Sequence, residues 1–216
     1  MIVRNHSMSG QNTLVSQTAF LIDRRRFLGL SLATLALAGG IGPARAEDAR
    51  AFVARLGRQV MELAASSRNA AALKRQFVSL LTRNADMKAI ARFALGKYQR
   101  RMPRHLRGEY YRLVLDYIAG LFVYYRKDLA GRDIRVGRVT KRGRWQTVET
   151  TIVYPGGKTA PVKWRVYRSG AGWKVGDVNI QGIWLSLRMR EKFVSILDSN
   201  EGDFDALMAY LRENAA

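Results

Sequence analysis

The sequence predicts an α+β fold, with helices first, then an antiparallel sheet, then helices again. Three observations predict it. Apolar residues recur at helical spacing from Asp48 to about Asp128, alternate from Ile134 to Ile180, and return to helical spacing from about Ile183. The turn sequences Pro155-Gly156-Gly157 and Ser169-Gly170-Ala171-Gly172 divide the alternating part into an antiparallel meander. The expectation is a curved, four-stranded antiparallel sheet packed against N-terminal and C-terminal helices.

The elements follow in order. Phe52, Leu56, Val60 and Leu63 form one helical stripe, and Leu73, Phe77, Leu80 and Leu81 a second. Asp86 suits the N-cap of a short helix carrying Met87, Ile90, Ala91 and Ala94, with Gly96 as its stop. Pro103 suits the first turn of a long helix in which Leu106, Tyr110, Leu113, Tyr117, Leu121 and Tyr125 recur and Val114, Ile118 and Phe122 widen the stripe. That helix reaches roughly 30 Å at about 1.5 Å per residue. Trp145 to Tyr154 is rich in Thr and Val, and Val162, Trp164 and Val166 alternate with Lys163, Arg165 and Tyr167. In the last strand the apolar parity switches between Val175 and Val178, which a bulge near Gly176-Asp177 would reconcile. Asp203 caps a final helix carrying Phe204, Leu207, Met208 and Leu211.

The start of the chain reads as a leader. Arg24-Arg25-Arg26-Phe27-Leu28 opens an apolar run that ends at Ala38, followed by Gly39-Gly40, Pro43 and Ala44-Arg45-Ala46. Basic region, short apolar region and small-residue end predict a cleaved signal over residues 1–46, its paired arginines fitting twin-arginine export to the periplasm. The run is shorter than the roughly 20 residues that span a bilayer. Residues 47–216 then form a single domain. The chain holds 37 basic and 17 acidic residues, net +20. The leader carries five Arg and one Asp, leaving 32 basic against 16 acidic, net +16. Such a charge favours acidic proteins or anionic headgroups and so transient contact with a membrane surface; export argues against nucleic acid. The absence of cysteine excludes disulfides.

Catalytic groups are scarce. Of the two histidines, His6 lies in the leader and His105 stands alone in a basic segment, so thiol–imidazole, serine–histidine and zinc arrangements lack their parts. Asp177 is the best acid–base candidate, and accepting turn or bulge hydrogen bonds is its simpler role. Gly156-Gly157 leads into a strand and not into a phosphate-binding helix. The sequence therefore argues for a protein that is not an enzyme and needs no cofactor or metal. Basic clusters at Arg100, Arg101, Arg104 and Arg107, at Arg138, Lys141, Arg142 and Arg144, and at Arg188, Arg190 and Lys192 are solvated faces or docking surfaces.

The segment "GWKVGDVNIQGIWLSLRMREKF", Gly172 to Phe193, gathers unusual apolar content at one strand-to-helix corner. It is similar to the W-K-V-x-D-V-x-I-E-G-V-S-L-x-x-N-Y-R-x-x-F signature of the MlaC, or toluene-tolerance, family. Trp173, Lys174, Val175, Asp177, Val178, Ile180, Gly182, Leu185, Arg190 and Phe193 match in place. "IARFALGKYQRRM" resembles that family's I/M-A-R-F-x-L-G-x-Y segment, and "YRLVLDYIAGLFVYY" its aromatic helix. The chain departs from the pattern at Gly176, Gln181, Trp184, Arg188 and Met189; an inward-facing Trp184 would reshape a cavity.

The resemblance implies a periplasmic carrier that takes phospholipid acyl chains into an apolar pocket between sheet and helices. It also implies shuttling between an outer-membrane lipoprotein complex and an inner-membrane ABC transporter complex. Some relatives belong to hopanoid-associated sets, so a triterpenoid carrier of the same fold is an alternative. The physical demand is plain: at about 0.8 kcal/mol per methylene, a sixteen-carbon chain needs on the order of 12 kcal/mol of burial. The nominated pocket residues are Phe93, Tyr98, Leu113, Tyr117, Leu121 and Leu187 from helices. From strands and the corner come Val148, Ile152, Trp164, Val166, Val178, Ile180, Ile183 and Trp184. The rivals are a small exported α+β enzyme using Asp177 on an apolar substrate and a basic interaction module.

Overall fold

The computed structural model describes residues 47–129, 133–170 and 172–215; the leader expected over residues 1–46 lies outside the described residues. Helices α1 (Ala49–Ala65), α2 (Ala70–Asn84) and α3 (Met87–Ala94) each begin at a side-chain cap. Asp48 accepts from the Ala51 N–H at 2.8 Å, Asn69 from Ala72 at 2.9 Å and Asp86 from Ala89 at 3.1 Å. Each cap contributes about 1 kcal/mol by satisfying an N–H that the helix leaves unpaired. The two stripes bury Phe52, Leu56 and Leu63 on α1 and Leu73, Phe77 and Leu80 on α2. After α3 a 3-10 turn runs from Gly96 to Arg100.

Helix α4 (Arg107–Leu129) has 23 residues, about 34 Å at 1.5 Å per residue. Pro103 is not in its first turn: it has extended ψ (141°) and precedes a 3-10 turn, Arg104–Leu106, from which α4 starts. An extended residue cannot continue a helix, so the chain winds once more before α4. Tyr110 is fully buried, and its hydroxyl donates to the Ala91 carbonyl at 2.8 Å. Phe122 stacks on Phe77 of α2 with centroids 4.0 Å apart.

The sheet is open and antiparallel, in the order β1 (Asp133–Arg142), β2 (Trp145–Val153), β3 (Thr159–Ser169), β4 (Gly172–Ile180), β5 (Ile183–Trp184). It has five strands, not the four expected. Gln181 (φ 51°) and Gly182 (φ 90°) form a two-residue turn with both φ positive, as a type I′ hairpin requires. Asn179 Oδ1 accepts the Gly182 N–H at 3.1 Å. Ile183 and Trp184 then pair back onto β4, and α5 (Leu185–Ser199) starts after them. α6 (Phe204–Glu213) is capped by Asp203, as expected. At the other end of β4, Ala85 bridges to Val175 and the Asp86 N–H donates to the Val175 carbonyl at 2.9 Å.

The bulge in β4 is where the apolar parity places it. Val175 pairs with Val166 and Asp177 with Arg165, so Gly176 is the extra residue. A second bulge, in β1 between Val136 and Val139, was not expected. Helix α1 lies against the sheet: the Trp173 indole N–H donates to the Glu47 carbonyl at 2.7 Å, and Arg50 donates to the Val136 carbonyl at 3.0 Å. Residues from the helices and from β2, β3 and β4 share one buried core. Among the described residues no helix is long and apolar enough to cross a membrane.

Gly176 has a second reason to be glycine. A Cβ there would lie 2.4 Å from the Trp145 ring, which Tyr167 meets edge-on at 4.8 Å and the Arg144 guanidinium covers at 4.8 Å. Gly176→Ala should therefore destabilise the fold by about 1–3 kcal/mol through overpacking. In a Trp145→Ala background the same change should cost much less; urea unfolding of the double-mutant cycle measures the coupling.

Candidate functional site

Residues directly opposite in neighbouring strands project from the same face of a sheet. One row runs across all five strands: Val136, Thr150, Val162, Ile180 and Ile183. The next holds Val139, Val148, Trp164 and Val178, and a third Lys141, Gln146, Val166 and Val175. Ile134, Ile152 and Ala160 form the row at the other end. Apart from Thr150, and from Lys141, Gln146 and Arg168 at one end, this face is apolar. Its buried hydroxyl is satisfied internally: Thr150 Oγ1 donates to the Val162 carbonyl at 3.0 Å and accepts from the Trp164 indole N–H at 3.0 Å.

Burial falls off along the rows. Val148 and Val166 are fully buried, Trp164 and Val178 half-buried, while Ile180 and Ile183 are each 43 % exposed. Leu185 and Leu187 follow at 40 % and 43 %, so the corner presents a nearly unbroken apolar surface. Phe93 on α3 and Leu121 on α4 are also exposed, the former beneath the Arg190 guanidinium of α5 at 5.2 Å. The buried part of the face is covered by the helices, with Val148 and Val166 wholly shielded from solvent. Two surface clefts of about 370 and 330 Å³ are lined by none of the nominated residues.

The opposite face is polar. It carries the Lys163–Glu149 ion pair at 3.1 Å, and Arg144 lies over both Trp145 and Tyr167. Trp184 belongs to this face: it pairs with Asn179, which pairs with Lys163, and its ring lies 4.1 Å from the Arg165 guanidinium. The expectation that Trp184 lines a pocket with Val178 and Ile180 is therefore corrected, because the register turns it outward.

The remaining nominated residues divide clearly. Val148, Ile152, Trp164, Val166, Val178, Ile180 and Ile183 share the apolar face. Leu113 is buried in the core. Tyr117 packs on Phe193 and Tyr210, at 5.9 and 6.0 Å, and burial first, then its hydrogen bond with Tyr210, pushes its phenol well above the usual range. Burial does the same to Tyr110, so both phenols stay neutral inside the helical layer. Tyr98 lies away from the sheet, where its hydroxyl donates to Asp198 at 2.6 Å and its ring meets Phe204. Sequence reasoning passed over Val162, although it shares the parity of Trp164 and Val166, and Leu185.

Asp177 joins the corner together. It projects from the polar face of β4, is 6 % exposed, and accepts from the Val178 N–H at 2.9 Å, the Ser186 N–H at 3.1 Å and the Ser186 hydroxyl at 2.5 Å. Ser186 lies in the first turn of α5, whose own N-cap, Trp184, supplies no side-chain acceptor. Asp177 thus caps α5 from the neighbouring strand, with a negative charge at the positive end of the helix. Both carboxylate oxygens are engaged, which accounts for the residue without catalysis. No group of carboxylates and imidazoles able to hold a metal occurs among the described residues. Asp177→Ala should destabilise by about 2–4 kcal/mol, since it strands buried donors, while Ser186→Ala should cost less; thermal or urea unfolding compares them.

The family model described as MlaC protein matches residues 53–213. Among solved structures, a phospholipid-binding protein from Ralstonia solanacearum, determined in complex with a phospholipid, superposes with a TM-score of 0.65 at 20 % identity, covering 78 % of this chain and 97 % of that one. At that identity the likeness establishes the fold. No curated protein matches in sequence. The family model spans most of the domain, including the corner that Asp177 caps, and the chain belongs to the MlaC family.

Proposed function

We propose that this protein is a periplasmic lipid carrier that holds phospholipid acyl chains between the apolar face of its sheet and the helices. The observation that carries this reading is the row Val136–Thr150–Val162–Ile180–Ile183, which begins under the helices and emerges into solvent. Apolar contact is non-directional, so such a face accepts chains of varied length without selecting a headgroup. The helices must part from the sheet to admit a chain, and the hydrocarbon then replaces side-chain contacts with its own. That exchange lets the protein hold lipid firmly and still release it. The phospholipid bound to the Ralstonia solanacearum protein supports the same ligand class.

Membership of the family supports a carrier shuttling between an outer-membrane lipoprotein complex and an inner-membrane ABC transporter complex. The net charge of +16 that remains once the leader is removed suits brief contacts with anionic headgroups at either membrane. A binding role is favoured over an enzymatic one because the carboxylate nearest the corner is consumed as a helix cap.

Native mass spectrometry of protein made in bacteria should show co-purified phospholipid. Ile180→Asp sets a carboxylate against hydrocarbon, at a cost of several kcal/mol, and should lower loading about tenfold or more. Trp184→Ala, on the opposite face, should leave loading unchanged. A lipid-free mass after gentle purification, with no uptake from liposomes, would contradict the proposal; a bound triterpenoid in place of phospholipid would redirect it to the hopanoid alternative.

A further inference from the structure

The arginines around the start of α4 do not all serve the same end. Arg101 lies over the Tyr98 ring at 5.2 Å. Arg100 and Arg107 instead join Arg92 of α3 around a cleft of about 370 Å³, whose other lining residues are Leu95, Gln99, Met102 and Tyr111. Among the described residues no carboxylate lines it. Among the described residues, Arg92, Arg100 and Arg107 form no ion pair. Arg107 is held by its Nε and one terminal nitrogen, Nη2, which donate to the Met102 carbonyl at 3.3 and 3.1 Å. Its Nη1 has no hydrogen bond to the described residues. Leu95 and Met102, at 1 % and 3 % exposure, are the buried apolar part of the lining.

Guanidinium groups gathered on one concavity repel each other, and only donors point from them. Their complement is a compact anion with several acceptor oxygens. A phosphate meets that description better than a carboxylate, because its oxygens can engage more than one arginine fork at once. The volume exceeds the roughly 30 Å³ of a water molecule many times over, leaving room for an ester substituent. We propose that the cleft between α3, the Gly96–Arg100 turn and the start of α4 is a binding site for a phosphate ester, separate from the apolar face. The inference stands on the cleft alone, independent of acyl-chain binding.

The full chain, purified, is titrated at low ionic strength with glycerol 3-phosphate, and separately with phosphatidylcholine vesicles with and without phosphatidic acid. Two double variants are compared: Arg92→Gln/Arg100→Gln in the cleft, and Arg126→Gln/Lys127→Gln at the far end of α4, which removes the same charge. Saturable binding of glycerol 3-phosphate that weakens about tenfold or more in the cleft variant, and less than about twofold in the control, supports a site for soluble esters. The same pattern seen only with phosphatidic acid vesicles supports a site for lipid headgroups. Binding that survives the cleft changes, equal loss in both double variants, or no saturable binding to either probe overturns the proposal.

Discussion

The bulge at Gly176 in β4 governs the rest of the structure. Without the bulge at Gly176, the period of two would put Val178 and Ile180 on the opposite face from Trp173 and Val175, and the apolar face would stop halfway along the strand. With it, both pairs face the helices, and Asp177 turns to the other side. There it meets the first turn of α5. The bulge therefore carries the apolar surface on to the β4–β5 end and sets the polar cap that begins the following helix. The Trp145 ring resting on the same glycine leaves no room for a side chain unless the ring moves.

This arrangement separates two tasks on the two faces of one sheet. The buried part of the inner face carries apolar side chains, and its Thr150 hydroxyl is satisfied locally by Val162 and Trp164. The outer face carries charge and cation–aromatic contacts, Arg165 over Trp184 and Arg144 over Trp145 and Tyr167. An antiparallel sheet suits this division because its alternation sends every second side chain to water. The exposed end at Ile180, Ile183, Leu185 and Leu187 is where the two environments meet, and the proposed entrance for a chain.

Much of this was legible in the sequence because it is written in periodicity. The helical stripes, the caps at Asp86 and Asp203, and the bulge all follow from spacing or local hydrogen-bond chemistry. Strand β5 was missed because two residues are too few for a period, although Gln181-Gly182 between two isoleucines is a short-hairpin signal. Trp184 was misplaced for the same reason: its face depends on pairing with Asn179, a register set by the turn. Tyr98 shows another limit, since its partner Asp198 is distant in sequence. Of the arginines, sequence showed the cluster near α4; only the fold adds Arg92 to it and leaves Arg101 on Tyr98.

The central claim concerns where hydrocarbon lies, and photo-crosslinking tests it directly. Protein incubated with a phospholipid carrying a diazirine in its acyl chain is irradiated, and the modified residues are mapped by mass spectrometry. The account predicts adducts on Trp164, Val178, Ile180 and Ile183. Adducts confined to Lys163, Arg165 and Trp184, or spread evenly over the surface, would contradict it.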